Sequence, residues 1–223
     1  MGKLHISLLG CALLLGGTIP MGTADPARAE HPASQDSLAG RYRGSAMEMA
    51  AALELRLDGR FDYWLAYGAL DESASGRWRR EGNRVVLTSD PFTPPRIALV
   101  RSAQASAGVD MQLDVPQGIS RQYFSAVVTF ASGERRPMQL REEGLSFAID
   151  PTNPPVSLRL VLPIYMLESE AVPLDGAKGW RLGFRFEPNE LGKVDLSDTP
   201  FEIEDGVLIL DRYDRRVVFR TEK

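Results

Sequence analysis

In Ala52-Leu53-Glu54-Leu55-Arg56-Leu57-Asp58-Gly59-Arg60-Phe61-Asp62-Tyr63-Trp64-Leu65-Ala66-Tyr67, Leu53 to Leu57 alternates apolar and charged residues, Asp58-Gly59 turns the chain, and Arg60 to Tyr67 follows. A second pair follows, Gly76 to Arg80 and Arg84 to Thr88, joined across Glu81-Gly82-Asn83. Period-two alternation puts Phe61, Tyr63, Leu65 and Tyr67 on one face of a strand. Asp-Gly between two such runs signals a hairpin with a type I′ turn, which needs positive φ at both central residues. The stretch 52–88 thus reads as two consecutive β-hairpins, and the chain on either side continues the same grammar.

Upstream, Leu38 to Gly44 reads as a first strand with Tyr42 inward. Downstream, Asp90-Pro91-Phe92-Thr93-Pro94-Pro95 interrupts pairing, because proline cannot donate to a ladder. Ile97 to Arg101 then supplies a further strand, giving an up-and-down meander. Gly40-x-Tyr42, Leu53-x-Leu55-x-Leu57-Asp58-Gly59-x-Phe61 and Gly76-x-Trp78 with Gly82-Asn83-x-Val85-Val86-Leu87-Thr88 carry a resemblance. Over residues 38–101 the chain resembles the lipocalin-like N-terminal domain of the copper-resistance lipoprotein NlpE and its relatives. That resemblance implies a small barrel-like meander. Those lipoproteins also carry a Cys-x-x-Cys pair, absent here, so metal sensing and redox signalling are not carried over.

Ser102-Ala103-Gln104-Ala105-Ser106-Ala107-Gly108 is small and polar, and reads as a linker. Strand grammar restarts at Val109 to Val115, Ala126 to Phe130, Pro137 to Leu140, Leu145 to Ile149 and Val156 to Leu162. Residues 109–149 resemble carboxypeptidase regulatory-like β-sandwich modules in their strand–turn rhythm. Trp180, Leu182, Phe184 and Phe186 alternate with polar residues and Gly183, as in a half-buried strand. Phe201 to Ile203, Val207 to Leu210 and Val217 to Arg220 complete the series. The expected fold is all-β: a small antiparallel lipocalin-like meander or half-barrel at 38–101, a linker at 102–108, and a β-sandwich-like domain at 109–223.

The first 29 residues read as an export signal, with Lys3, the apolar run Ile6 to Leu15, and Ala27-Arg28-Ala29 for cleavage. A second cleavage position follows Ala24. A membrane anchor needs about 20 apolar residues, and Gly16-Gly17 and Pro20 break this run, so no transmembrane anchor is expected after cleavage. The mature chain would then be periplasmic or secreted, with a flexible lead-in at 30–37. Leu8-Leu9-Gly10-Cys11 offers a lipidated alternative, anchored through Cys11. Removing residues 1–29 leaves 24 basic and 29 acidic side chains, a charge of −5. An acidic balance gives no footprint for nucleic acid.

Cys11 is the only cysteine, and the histidines are His5 and His31. The folded part therefore has no imidazole or thiol, which excludes Ser-His-Asp and Cys-His catalysis and zinc sites of ordinary type. Neither a phosphate-binding glycine loop nor a dinucleotide fingerprint is present. No catalytic residue, metal ligand or cofactor is expected. Two oxygen-based readings stand beside that expectation. Asp71 and Glu72 in a loop, or Glu187, Glu190, Asp195 and Asp198, offer carboxylate catalysis on envelope polysaccharide. The latter group with Asn189 offers oxygen ligands for calcium.

Tyr63, Trp64, Tyr67 and Trp78 are the candidate ligand-binding residues: in a hollow meander they line an apolar pocket, and in a filled one they are core. Trp64, on the face opposite Tyr63, is the candidate for an exposed contact. Arg77, Arg79, Arg80 and Arg84 with Arg41 and Arg43 form either a surface for an acidic partner or a charged strand face. The function expected is non-enzymatic binding of a partner protein, an envelope component or a small apolar ligand, with a carboxylate-dependent hydrolase as the alternative.

Overall fold

The structure is a computed structural model that describes residues 35–222. The export signal, both cleavage positions, Cys11 and the lead-in up to residue 34 lie outside the described residues. Seventeen strands and three short 3-10 turns make up the described chain, which is all-β as its alternation predicts.

The first five strands run β1 (Gly40–Ala46), β2 (Met49–Leu55), β3 (Arg60–Tyr67), β4 (Leu70–Glu81) and β5 (Arg84–Ser89). They pair in order as an antiparallel meander. The meander supplies five strands of a larger barrel. Strands β15 (Pro200–Glu204), β16 (Val207–Arg212) and β17 (Arg215–Thr221) insert between β5 and β1 and close an eight-stranded barrel. Val85 pairs with Phe201, and Gly44 pairs with Phe219. The division expected at 102–108 is thereby corrected: residues 200–221 belong to the first sheet, not to the second domain. An open meander leaves two unpaired edges, and the C-terminal strands satisfy both.

Inside the barrel lie Phe61, Leu65, Leu87, Phe201, Leu210 and Phe219, all essentially inaccessible, with Tyr42, Tyr63 and Trp78 among them. Eight strands enclose just enough space for side chains to fill. Gly44 is required here, because a β-carbon would sit 2.6 Å from the Phe219 ring. The outer wall carries ion pairs such as Arg41–Glu54, Arg43–Glu222 and Arg84–Glu202. Apolar inside and charged outside is the reverse of a lipid-facing barrel.

The turn at Asp58-Gly59 also differs from the expected type I′. Gly59 has φ of +78°, its N–H donates to the Arg56 carbonyl at 3.0 Å, and Asp58 is not in the left-handed region. This is a longer hairpin loop closed by a single left-handed glycine, and it turns Leu57 out to solvent. The two-residue turn with positive φ at both positions occurs instead at Asp205-Gly206 and at Tyr213-Asp214.

Between β5 and β15 the chain builds two further sheets. These comprise β6 (Arg96–Ala105), β7 (Val109–Asp114), β8 (Ser125–Phe130), β9 (Arg135–Gln139), β10 (Leu145–Phe147), β11 (Pro155–Leu162), β12 (Leu167–Glu168), β13 (Val172–Pro173) and β14 (Gly179–Glu187). One sheet has the order β10-β7-β14-β6; in the other, β12-β11-β8-β9, β13 also pairs with β11. The inner faces meet over Met111, Phe124, Val128, Leu160, Phe184 and Phe186. The proposed linker is no linker at its start, since Ser102 to Ala105 extend β6 and pair with β14.

Candidate functional site

The feature that stands apart from ordinary packing is a seam along β6. This strand is outermost in its sheet and pairs on one side only, with β14. The outermost segments of the facing sheet, β12 and β13, lie across from it without pairing to it. Between them opens a cleft of about 680 Å³, lined by Ile97, Leu99, Phe184, Leu167 and Val172, with Glu168, Ser169 and Glu170 at its lip.

Leu99 defines the seam. It lies opposite Phe184, and Ile97 lies opposite Phe186, so all four belong to the inner face. Ile97, Phe184 and Phe186 are buried, whereas Leu99 is 42% exposed. An inner-face leucine this open means that the other sheet stops short of covering it. The pairing register slips between Leu99↔Phe184 and Arg101↔Gly183, leaving Val100 as the extra residue of a β-bulge. Val100 is 49% exposed. Beyond the bulge, Arg101 lies opposite Gly183 and Ala103 opposite Arg181, which places both arginines on the outer face.

Both walls are held in place. At the start of β6, Glu190 Oε2 accepts from the Thr93 N–H at 2.7 Å, and Asn189 Nδ2 donates to the Pro94 carbonyl at 2.9 Å. Arg96 makes a two-pronged pair with Glu187, at 2.5 and 3.1 Å. That hydrogen bond holds the Glu187 carboxyl below its usual range. On the opposite wall, the buried Ser169 hydroxyl accepts from the Leu160 N–H and donates to the Glu170 carbonyl, both at 2.9 Å. Its own N–H reaches the Leu160 carbonyl at 2.8 Å. Ser169 thus ties the segment between β12 and β13 to β11.

A second cluster occupies one end of the barrel. Glu72, only 1% exposed, accepts from Arg212 Nε and Nη2 at 2.9 and 2.8 Å, from Tyr63 Oη at 2.9 Å and from Tyr213 Oη at 2.6 Å. Burial, reinforced by hydrogen bonding to Glu72, pushes the Tyr213 phenol up to about 12. Burial first, then the Glu72 charge, raises Tyr63 as well. Desolvation alone would lower Arg212, but its hydrogen bonds and charge contact with Glu72 leave it raised. Above the cluster Tyr67 stacks on Tyr213, their ring centroids 6.1 Å apart. The two tyrosines border a hollow of about 260 Å³ with Ala69, Leu70, Ile164 and Met166.

The four candidate ligand-binding residues are not brought together. Tyr63 and Trp78 are buried in the barrel core, and Trp78 Nε1 donates to the Arg56 carbonyl at 2.9 Å. Trp64 is 42% exposed on the outer wall, and Tyr67 is at the rim. Asp71 and Glu72 are not in a loop: both belong to β4, on opposite faces, with Asp71 exposed. Glu187 faces Arg96, Glu190 binds Lys193 and Thr93, and Asp195 binds Ser197, each engaged separately. Among the described residues no group of three or more acidic, histidine or cysteine side chains is placed to hold a metal. Arg79 and Arg84 are paired with Glu81 and Glu202 on the barrel wall. Sequence reasoning missed the seam; the one available signal was the polar run after Arg101, read as a linker.

Compared with models of protein families, with curated proteins and with solved structures, the chain matches none of them. The reading of the site therefore rests on its geometry.

Proposed function

We propose that this is an exported, non-catalytic binding protein that takes a partner protein in the seam between β6 and the β12–β13 lip. The observation that carries the reading is Leu99, an inner-face residue left open between two strand edges that lack partners among the described residues. A filled barrel supports it from the other side, since its core offers aromatic packing where a small apolar ligand would need a cavity. Glu72 gives little to a hydrolase. A glycosidase needs two carboxyls facing across a cleft, and Glu72 is taken up by Arg212, Tyr63 and Tyr213.

The test is capture from envelope extract by the mature protein, by Leu99→Asp and by Trp64→Ala, read by quantitative mass spectrometry. A partner held by wild type and Trp64→Ala but depleted by about tenfold with Leu99→Asp supports the seam. Capture that survives Leu99→Asp and fails with Trp64→Ala moves the interface to the barrel wall and refutes it.

A further inference from the structure

We infer that the partner enters the seam as an extended strand that pairs with the free edge of β6, its side chains alternating between apolar and acidic. This rests on the partner-protein reading above and specifies the chemistry of that partner. β6 runs for ten residues, roughly 33 Å of edge at about 3.3 Å per residue. One side of it is paired with β14, and among the described residues no strand pairs with the other. Main-chain groups along such an edge give affinity to any extended segment, and pockets for alternate side chains give specificity.

The two faces of β6 then dictate which side chains. A strand added beside it shares its pleat, so every second residue points inward, over Ile97 and Leu99 and toward Val172 and Leu167. Those residues must be apolar to fill the cleft. The intervening ones lie on the outer face beside Arg101, with Arg181 one strand further in on β14; both arginines are exposed and form no ion pair with any described residue. Carboxylates at these positions complement the two arginines.

A bulge and an arginine are common guards of an edge against unwanted pairing. Such a guard does not account for the inner-face Leu99, which is open here. A second copy of this chain is a poorer occupant. Self-pairing of β6 would supply arginines at 96 and 101 where the edge asks for acids.

The probe is a nine-residue synthetic peptide alternating valine and glutamate, fluorescently labelled and titrated by anisotropy against the mature protein. Four control peptides accompany it: lysine in place of glutamate, the same composition with the valines contiguous, and two N-methylated versions, on the valines or on the glutamates. Strand pairing predicts binding weaker by about tenfold or more for the lysine and contiguous peptides. It also predicts loss of binding for one N-methylated version and retention for the other, because only alternate amides face β6. Arg101→Glu shifts the preference toward the lysine peptide. Equal loss or equal retention with both N-methylations, or no binding of any peptide at about 1 mM, overturns strand addition. The partner-protein reading is judged separately, by whether Leu99→Asp depletes capture while Trp64→Ala does not.

Discussion

Glu72 and Arg212 are 140 residues apart and meet as a two-pronged ion pair inside the barrel, at 2.9 and 2.8 Å. The pair ties β4 of the meander to the last hairpin, across the whole intervening sandwich. Removing one partner leaves a charge buried without its counter-ion, which costs about 3–5 kcal/mol. Glu72→Gln is expected to lose stability in that range by urea denaturation. Glu72→Leu combined with Arg212→Leu is expected to lose less than the two single variants summed, because no orphaned charge remains.

The same cluster sets an alkaline limit. Tyr213 titrates near 12 in the folded state, against an ordinary value of 10.0, and Tyr63 is raised as well. A raised folded value means that the native state holds the proton longer than the unfolded chain. Its contribution is complete below pH 10 and is lost as pH climbs from there toward 12. Denaturation midpoints measured across that window should fall, and Tyr213→Phe should flatten the fall while lowering the midpoint at neutral pH.

Barrel closure makes a prediction about dissection. Residues 38–101 alone lack Phe201, Leu208, Leu210, Val217 and Phe219, all buried in the barrel core. At roughly 1.5–3 kcal/mol each, their loss matches a whole domain's stability of about 5–15 kcal/mol. That fragment should be unfolded by near-ultraviolet circular dichroism. The ends of β5 and β15 are adjacent, with the Ser89 hydroxyl accepting from the Leu196 N–H at 2.9 Å. Residues 38–90 joined directly to 196–222 should therefore fold as a barrel.

Strand identity was legible in the residues themselves. Alternation at Phe61-Asp62-Tyr63 or Leu182-Gly183-Phe184 marks one buried face whatever lies opposite. Partner identity was not, because the apolar run Val207 to Leu210 suits a strand beside any neighbour. β4 shows the local limit of pattern reading. Its inward positions are Leu70, Glu72, Ala74, Gly76 and Trp78, so an acid, an alanine and a glycine dilute the apolar signal. The inward Glu72 reads as a turn residue until Arg212 is seen beside it. The seam was illegible for a different reason. Leu99 looks like any strand leucine, and its exposure comes from where the other sheet ends.

The most direct measurement is amide hydrogen exchange of the mature protein, free and with the valine–glutamate peptide. Strand addition predicts new protection along Arg96–Ala105, with slower exchange at the 167–173 lip and no change in β2 and β3. Protection confined to the barrel wall around Trp64, or none along β6 at saturating peptide, would contradict the account.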